Sequence, residues 1–229
     1  MRKTLNNYVI KVVGVGGCGH NNIGLLYNWL KNAEYISINS DKQGLSYSPP
    51  SHKCNILPQI KHLQIGSNIT GGLGSGGILE KGKTIGNNDR RIIRNTLQNA
   101  DIVFIIAGMG GGIGSGVTPV IASCAKEIGA ITIGVVTLPF SFEGKRRCQN
   151  AKKGLDLLAK YVDDIVIMDN NALSKRDAVL SDVLRLNFTD CFPAMTNAML
   201  DEIWKTYQKM ECLITMYNTL QQCINVNDI

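Results

Sequence analysis

The sequence lacks several features that would assign it to a specialised class of protein. Its 229 residues include seven cysteines, an odd number, and none of them has the Cys-x-x-Cys or Cys/His spacing of a zinc site. We therefore expect reduced thiols, no protein-built metal site and a cytoplasmic location. The first residues also lack the apolar segment and small-residue cleavage site of a signal peptide, so no export is predicted.

Long apolar runs and nucleic-acid motifs are absent as well. The most apolar stretch, 117–140, is interrupted by Lys126 and Glu127, so it cannot supply the roughly 20 lipid-compatible residues of a membrane span. Aromatic residues make up 6% of the chain, and the net charge of +6 is spread along it, with one dense cluster, EGKRR, at 143–147. We therefore predict a soluble protein that neither inserts into membranes nor binds nucleic acid.

The sequence does contain a regular alternation of strands and helices. Apolar strands are predicted at YVIKVVGV, YISIN, HLQI, DIVFIIA, AITIGVVTLP and DDIVIMD. Because near-continuous apolar strands that alternate with helices are typical of covered parallel sheets, we expect an α/β, Rossmann-like, mostly parallel sheet with helices on both faces. Residues 1–188 would form this domain. Residues 189–229, which show no strand signal from Thr189 to Cys223, would form one long helix or two stacked ones and the start of a further loop.

The first glycine-rich stretch, GVGGCG, spells G-x-G-x-x-G at Gly14–Gly19 between a predicted strand and a predicted helix. Asp41 follows at about the distance at which dinucleotide sites carry an acidic residue. A nicotinamide-dependent oxidoreductase is therefore one open interpretation. The physical content of the motif is narrower, because it requires only backbone N–H groups at a helix N-terminus that can bind an anion.

A second stretch, GILEKGKT at Gly77–Thr84, matches the string of a nucleotide-binding P-loop, G-x-x-x-x-G-K-[ST]. A P-loop must leave a strand directly and enter a helix. Here the preceding residues are TGGLGSG, and the predicted strand HLQI ends well upstream. We therefore interpret the match as coincidental and Lys83 as a solvated lysine.

The third stretch, GMGGGIGSG at Gly108–Gly116, lies between the buried strand DIVFIIA and a helix predicted to begin near Thr118, with Pro119 in its first turn. A flexible linker would not lie between two core elements. Several backbone donor loops at the carboxyl ends of parallel strands can share the charge of a triphosphate without a P-loop lysine. The glycines therefore predict close approach of the backbone to phosphate.

These stretches together resemble the tubulin/FtsZ family. AGMGGGIGSG is similar to the family signature that surrounds the nucleotide phosphates, and GVGGCGHN, NSDKQGL and GLGSGG resemble its other phosphate loops. TLPFSFEGKRR resembles the segment that contacts the ribose. The resemblance runs from about Tyr8 to Phe192, and it implies a GTP-binding domain with GTP or GDP as ligand and a magnesium ion held mainly through the phosphates.

The resemblance also implies roles for individual residues. Glu143 and Arg147 would contact the ribose, Asn170 would bind the guanine base, Phe192 would stack near it, and Asn197 stands where the family has a second guanine-binding residue, an aspartate. The implied phosphate contacts near α1 are Gly16, Gly17, Cys18, which replaces a usual glycine, and Asn21, which also reaches the base edge. The resemblance places Gly74, Ser75, Gly76 and Gly77 at the third phosphate of GTP, and Gly110, Gly111, Gly112, Gly114, Ser115 and Gly116 at the first two.

The hydrolytic residues of the family lie in a loop of type N-x-D-x-x-D that inserts into the nucleotide site of the next subunit. In NVNDI, Asn225 matches this loop, Asn227 stands at the first acidic position, and Asp228 departs from the spacing. Asn225 and Asp228 are therefore the predicted catalytic residues, acting in trans. The second α/β domain that follows the central helix in the family is expected to be absent from this chain.

The resemblance implies an FtsZ-like GTPase that assembles head to tail, with itself or with full-length FtsZ-like subunits, into filaments for cell or organelle division. Two alternatives stay open at this stage. One is a non-hydrolysing GTP-binding protein that caps full-length filaments, since the altered loop and the missing domain leave it only one complete face. The other is the oxidoreductase, which leaves the third stretch and FEGKRR unexplained.

Overall fold

The computed structural model describes residues 8–26, 30, 32–46, 59–172, 201–202, 205–209 and 212. The predictions for Phe192, Asn197, Asn225 and Asp228 lie outside the described residues, as does most of the region proposed as a long helix. Residues 201–202, 205–209 and 212 are helical. None of the helices within these ranges has the length and apolar character needed to cross a bilayer.

Six parallel strands form one sheet in the order β3-β2-β1-β4-β5-β6. The predicted α/β, Rossmann-like fold is therefore confirmed, and each predicted strand is present. The order is that of a doubly wound fold, in which the chain reverses direction across the sheet between β1 and β4. The strands are β1 (Ile10–Val15), β2 (Glu34–Asn39), β3 (Ile60–Gln64), β4 (Ile102–Gly108), β5 (Ile131–Leu138) and β6 (Asp164–Asp169).

Helices cover both faces of the sheet, because the strand residues that point to either face are apolar. Val13, Val103 and Ile105 pack in one cluster with residues of α4, α5, α6 and α7, whereas Val12 and Phe104 pack in a second cluster with α1. The helices are α1 (Gly16–Leu26), α2 (Lys42–Ser46), α3 (Ser67–Thr70), α4 (Leu79–Asn88), α5 (Arg90–Leu97), α6 (Gly112–Glu127) and α7 (Lys145–Leu158), with a short 3-10 helix at Ser141–Glu143.

The start of α6 was predicted wrongly. The helix begins at Gly112 rather than near Thr118, so Pro119 lies in its interior instead of its first turn. Three glycines at alternate positions, Gly112, Gly114 and Gly116, are therefore helical. Glycine lowers helix propensity by about 1 kcal/mol relative to alanine, which is why the sequence favoured a loop.

Tight packing explains why α6 keeps these glycines. A Cβ atom at Gly114 would lie 2.0 Å from the carbonyl oxygen of Gly108, and one at Gly116 would lie 2.5 Å from that of Leu79. The facing helix α4 also has a glycine at a close backbone contact, since a Cβ atom at Gly82 would lie 1.9 Å from the carbonyl oxygen of Gly112. The helix therefore starts pressed against the end of β4 and against α4.

Candidate functional site

A cavity of about 700 Å³ lies at the carboxyl ends of the strands. The first turns of α1 and α6 border it, directly after the neighbouring strands β1 and β4. Between these strands the sheet order reverses, which is where doubly wound folds bind ligands. The unpaired N–H groups and positive dipole ends of both helices therefore favour a negatively charged ligand at this point.

Most of the residues that the sequence nominated come together around this cavity. Those that line it are Gly16, Gly17, Cys18, Asn21, Gly74, Ser75, Gly76, Gly77, Gly111, Gly112, Gly114, Glu143, Arg147 and Asn170. They come from five separate segments of the chain. The tertiary structure therefore makes one site of motifs that the sequence spreads over more than 150 residues.

Three other nominated residues do not line the cavity. Gly110 has φ +108°, a conformation that favours glycine, and its N–H donates to Ser115 Oγ at 2.7 Å. Ser115 is fully buried, and Gly116 packs against α4. In this structure the three residues stabilise the loop between β4 and α6 instead of facing the cavity.

At three lining glycines, no atom of the residues that the structure describes would exclude a side chain. A Cβ atom at Gly17, Gly76 or Gly111 would have no neighbour within 4 Å. Packing within the protein therefore does not explain glycine at Gly17 or Gly111, neither of which has a positive φ. These two positions leave room for a ligand to approach the backbone.

Asn170 lies at the wall of the cavity directly after β6. It is buried, and its Oδ1 atom has no hydrogen-bond partner among the described residues. An unpaired buried amide oxygen costs about 1–3 kcal/mol, so such atoms usually accept a hydrogen bond from a ligand or water. Asn170 is therefore suited to accept from a donor on a ligand, such as the N–H groups of guanine.

Glu143 and Arg147 also line the cavity. The Arg147 guanidinium donates to Oε2 of Glu143, four residues earlier, and Glu143 Oε1 accepts from the Phe140 N–H at 2.8 Å. The side chain of Glu143 is 20% exposed and that of Arg147 is 56% exposed. The pair therefore presents a carboxylate and a guanidinium, which can accept from and donate to hydroxyl groups.

Sequence reasoning omitted several cavity residues from its nominations. Asn39 is the last residue of β2 and Asp41 follows it, while Thr137, Pro139 and Phe140 lie at the end of β5. Asn39 Oδ1 accepts from the N–H groups of Ser40 and Asp41 and so shapes this loop. The omitted residues lie within NSDKQGL and TLPFSFEGKRR, two segments that carry the family resemblance, although none was nominated as a contact of the GTP site.

The structure confirms that the P-loop match is coincidental. No strand leads into this segment, since β3 ends at Gln64, and the segment continues into α4. Lys83 is exposed and does not line the cavity. Gly82, the second glycine of the string, packs against the backbone of Gly112 instead.

Cys18 lies in the first turn of α1 and is partly buried at the cavity wall. Burial raises the pKa of this thiol, and the nearby Glu143 carboxylate raises it further, while hydrogen bonds with Thr137 and Asn22 partly oppose the rise. The Cys18 Sγ to Thr137 Oγ1 distance is 3.7 Å, and Asn22 Nδ2 donates to Sγ at 3.6 Å. The thiol is therefore kept protonated at neutral pH.

We expect Cys18 to resist alkylation at pH 8, because the thiolate is the reactive form. Cys148, which is exposed, is the internal control. In the unfolded chain a thiol ionises near its ordinary pKa of about 8.5, so the free energy of unfolding should fall as pH rises above that value. Iodoacetamide labelling with peptide mass spectrometry checks the first result, and equal labelling rates at Cys18 and Cys148 would contradict it.

The site fits a nucleotide better than a metal ion bound by side chains. Within the part of the chain that the structure describes, no three His, Cys, Asp or Glu side chains cluster so as to hold a metal. The cavity volume lies within the roughly 300–1,000 Å³ of small-molecule sites. Helix N-termini for phosphate, an ion pair for hydroxyls and an unpaired amide for a base are the groups that a nucleotide requires.

Comparison with known proteins agrees with this arrangement. Residues 9–176 match the family model described as the Tubulin/FtsZ family, GTPase domain. A cell division protein FtsZ from Buchnera aphidicola subsp. Acyrthosiphon pisum is 43% identical over 195 residues, which are 85% of this chain and 47% of that protein. Another from Buchnera aphidicola subsp. Baizongia pistaciae is 40% identical over the same length. The chain thus spans about half the length of the curated relatives it matches.

A solved structure described as an empty FtsZ dimer from M. jannaschii superposes with a TM-score of 0.73 at 34% identity, covering 86% of this chain and 53% of that one. The comparisons support neither the capping protein nor the nicotinamide-dependent oxidoreductase better than they support an FtsZ-like GTPase domain. The chain belongs to the tubulin/FtsZ family, with the GTPase domain of that family at residues 9–176.

Proposed function

We propose that this chain binds GTP and GDP in the cavity at the carboxyl ends of β1 and β4. It would act as the nucleotide-binding part of a filament-forming cell division protein. The observation that carries the proposal is the convergence of two helix N-termini on a cavity that contains the unpaired Asn170 Oδ1 atom. The names of the matching relatives and the GTPase description of the family support the same function.

Within this proposal the chain's own groups have distinct roles. The N–H groups at Gly17 and Gly111 face phosphate oxygens, and the carboxylate and guanidinium of Glu143 and Arg147 bind the ribose hydroxyls. Asn170 Oδ1 accepts from guanine. A magnesium ion, held mainly through phosphate oxygens, would neutralise phosphate charge.

Hydrolysis and assembly belong to the proposal. Asn225 and Asp228, the predicted catalytic residues, would act on the nucleotide of the next subunit in a head-to-tail filament. Self-association of the chain, or association with full-length FtsZ-like subunits, follows from the same geometry, because a catalytic group supplied in trans requires a second subunit. A cytoplasmic location also stays a prediction.

Equilibrium binding to the purified chain tests the proposal. We expect labelled GTP to bind and GDP to displace it, whereas NAD and ATP at equal concentration leave it bound, because only guanine offers adjacent N–H donors to Asn170. Phosphate release that rises more steeply than protein concentration would report hydrolysis between subunits. Absence of GTP binding, or displacement of GTP by NAD, would contradict the proposal.

A further inference from the structure

Asn150, a residue of α7 that no motif singles out, connects two of the glycine loops. Its Nδ2 atom donates to the carbonyl oxygen of Gly77 at 3.0 Å and to that of Gly110 at 3.1 Å. An asparagine amide has two N–H donors, so both are used. Gly77 ends the loop that leads into α4, and Gly110 belongs to the loop that leads into α6.

The Gly110 carbonyl belongs to a peptide group whose orientation matters for the cavity, whereas the Gly77 carbonyl holds in place a loop whose residues Gly74–Gly77 line it. In a trans peptide the C=O and N–H bonds point in opposite directions. A Gly110 carbonyl held toward Asn150 therefore turns the Gly111 N–H to the opposite side, and Gly111 lines the cavity. Gly77 and Gly110 both have positive φ, at +71° and +108°, where glycine is the favoured residue.

The two loops differ in how much other support they receive. Gly110 is also held by Ser115 Oγ, which accepts from its N–H, and it packs closely against Arg147 and Pro139. In the Gly77 loop the Ile78 N–H donates to the Ser75 carbonyl oxygen at 3.3 Å, and Ser75 and Ile78 pack closely against Gly112. Asn150 adds the hydrogen bond to the Gly77 carbonyl oxygen. Loss of the Asn150 amide would therefore free the Gly77 peptide group, whereas the Gly110 N–H would keep its hydrogen bond to Ser115.

We propose that Asn150 is a positioning residue that holds the two glycine loops at a fixed separation and thereby sets the preference of the site for a nucleoside triphosphate over a diphosphate. The inference rests on the proposed function, in which the Gly74–Gly77 loop approaches the third phosphate and the Gly110–Gly112 loop the first two. Asn150 touches no phosphate itself and acts only through the two carbonyl groups.

The test compares the dissociation constants of GTP and GDP for the whole chain and its Asn150→Asp variant. The aspartate has the same shape but places acceptor oxygens against two carbonyl oxygens. We expect GTP to bind at least tenfold more weakly and GDP less than threefold more weakly. Gln149→Glu, which adds the same charge at the adjacent exposed position of α7, should leave both constants unchanged.

Asn150→Ala provides a second variant that removes both donors without repulsion and keeps a residue with high helix propensity in α7. It should show the same selective loss, with thermal unfolding in the absence of nucleotide as the check on folding. Equal losses for GTP and GDP in both variants, or no loss, would overturn the inference. A wild-type chain that binds neither nucleotide would instead refute the proposed function.

Discussion

Replacement of Gly114 with alanine is expected to lower the free energy of unfolding by about 3 kcal/mol, at the upper end of the usual cost of overpacking. The added Cβ atom would lie 2.0 Å from the carbonyl oxygen of Gly108, so either the end of β4 or the start of α6 must move. Both are buried. The gain in helix propensity, about 1 kcal/mol, offsets only part of this cost.

Gly111→Ala is the matched variant three residues earlier. Its backbone, at φ −80° and ψ 163°, suits alanine, and the new Cβ atom has no neighbour within 4 Å. We expect unfolding free energy to change by less than about 1 kcal/mol, the order of a helix N-cap substitution. GTP affinity should fall at least tenfold, because the methyl group occupies the approach of a phosphate to the Gly111 N–H.

Urea denaturation without nucleotide and equilibrium GTP binding measure both effects. The comparison separates two reasons for a glycine, close backbone packing and close approach of a ligand, which a sequence alone does not distinguish. If Gly114→Ala unfolded at the same urea concentration as the wild type, the packing explanation for α6 would be wrong. If Gly111→Ala bound GTP normally, phosphate would not approach the backbone at that residue.

These glycines also show how much the sequence could predict. The order of strands and helices followed from apolar runs and the glycine-rich or polar segments that separate them. The position of the site followed from the glycines after β1 and β4. The beginning of α6 did not follow, because a missing side chain is explained equally well by a ligand or by a packed backbone. Only the distances at Gly114 and Gly111 distinguish the two.

Residues that act through partners distant in sequence escaped prediction for a different reason. Asn150 binds carbonyl groups that lie 73 and 40 residues away, and an asparagine on a charged helix carries no pattern that reveals them. Ser115 was nominated as a phosphate contact from the family motif, yet its hydroxyl is buried beneath Gly110. Motifs locate a site in the chain, whereas the direction of each side chain requires the fold.

Asn170→Leu is expected to lower GTP affinity at least tenfold, the equivalent of about 1.4 kcal/mol, while leaving the chain as stable as the wild type or more stable. The buried Oδ1 atom has no partner among the described residues, so an apolar side chain of similar size removes an unpaired acceptor from the folded protein. With GTP bound, the same change leaves a guanine N–H group without an acceptor.

The neighbouring Asn171 provides the control, because its amide is paired within the protein. Its Oδ1 accepts from the Ser141 N–H at 3.0 Å and its Nδ2 donates to Asp169 Oδ1 at 3.0 Å. Asn171→Leu should therefore lower the stability of the chain without nucleotide, whereas Asn170→Leu should not.

Isothermal titration with GTP and ATP distinguishes a base contact from a general effect on the cavity. Asn170→Leu should reduce the ratio of the ATP to the GTP dissociation constant toward one, since its effect is confined to the guanine edge. Equal weakening of both nucleotides would show that Asn170 maintains the shape of the cavity instead. A drop in stability as large as that of Asn171→Leu would show that its oxygen already has a partner, and guanine would then need a different acceptor.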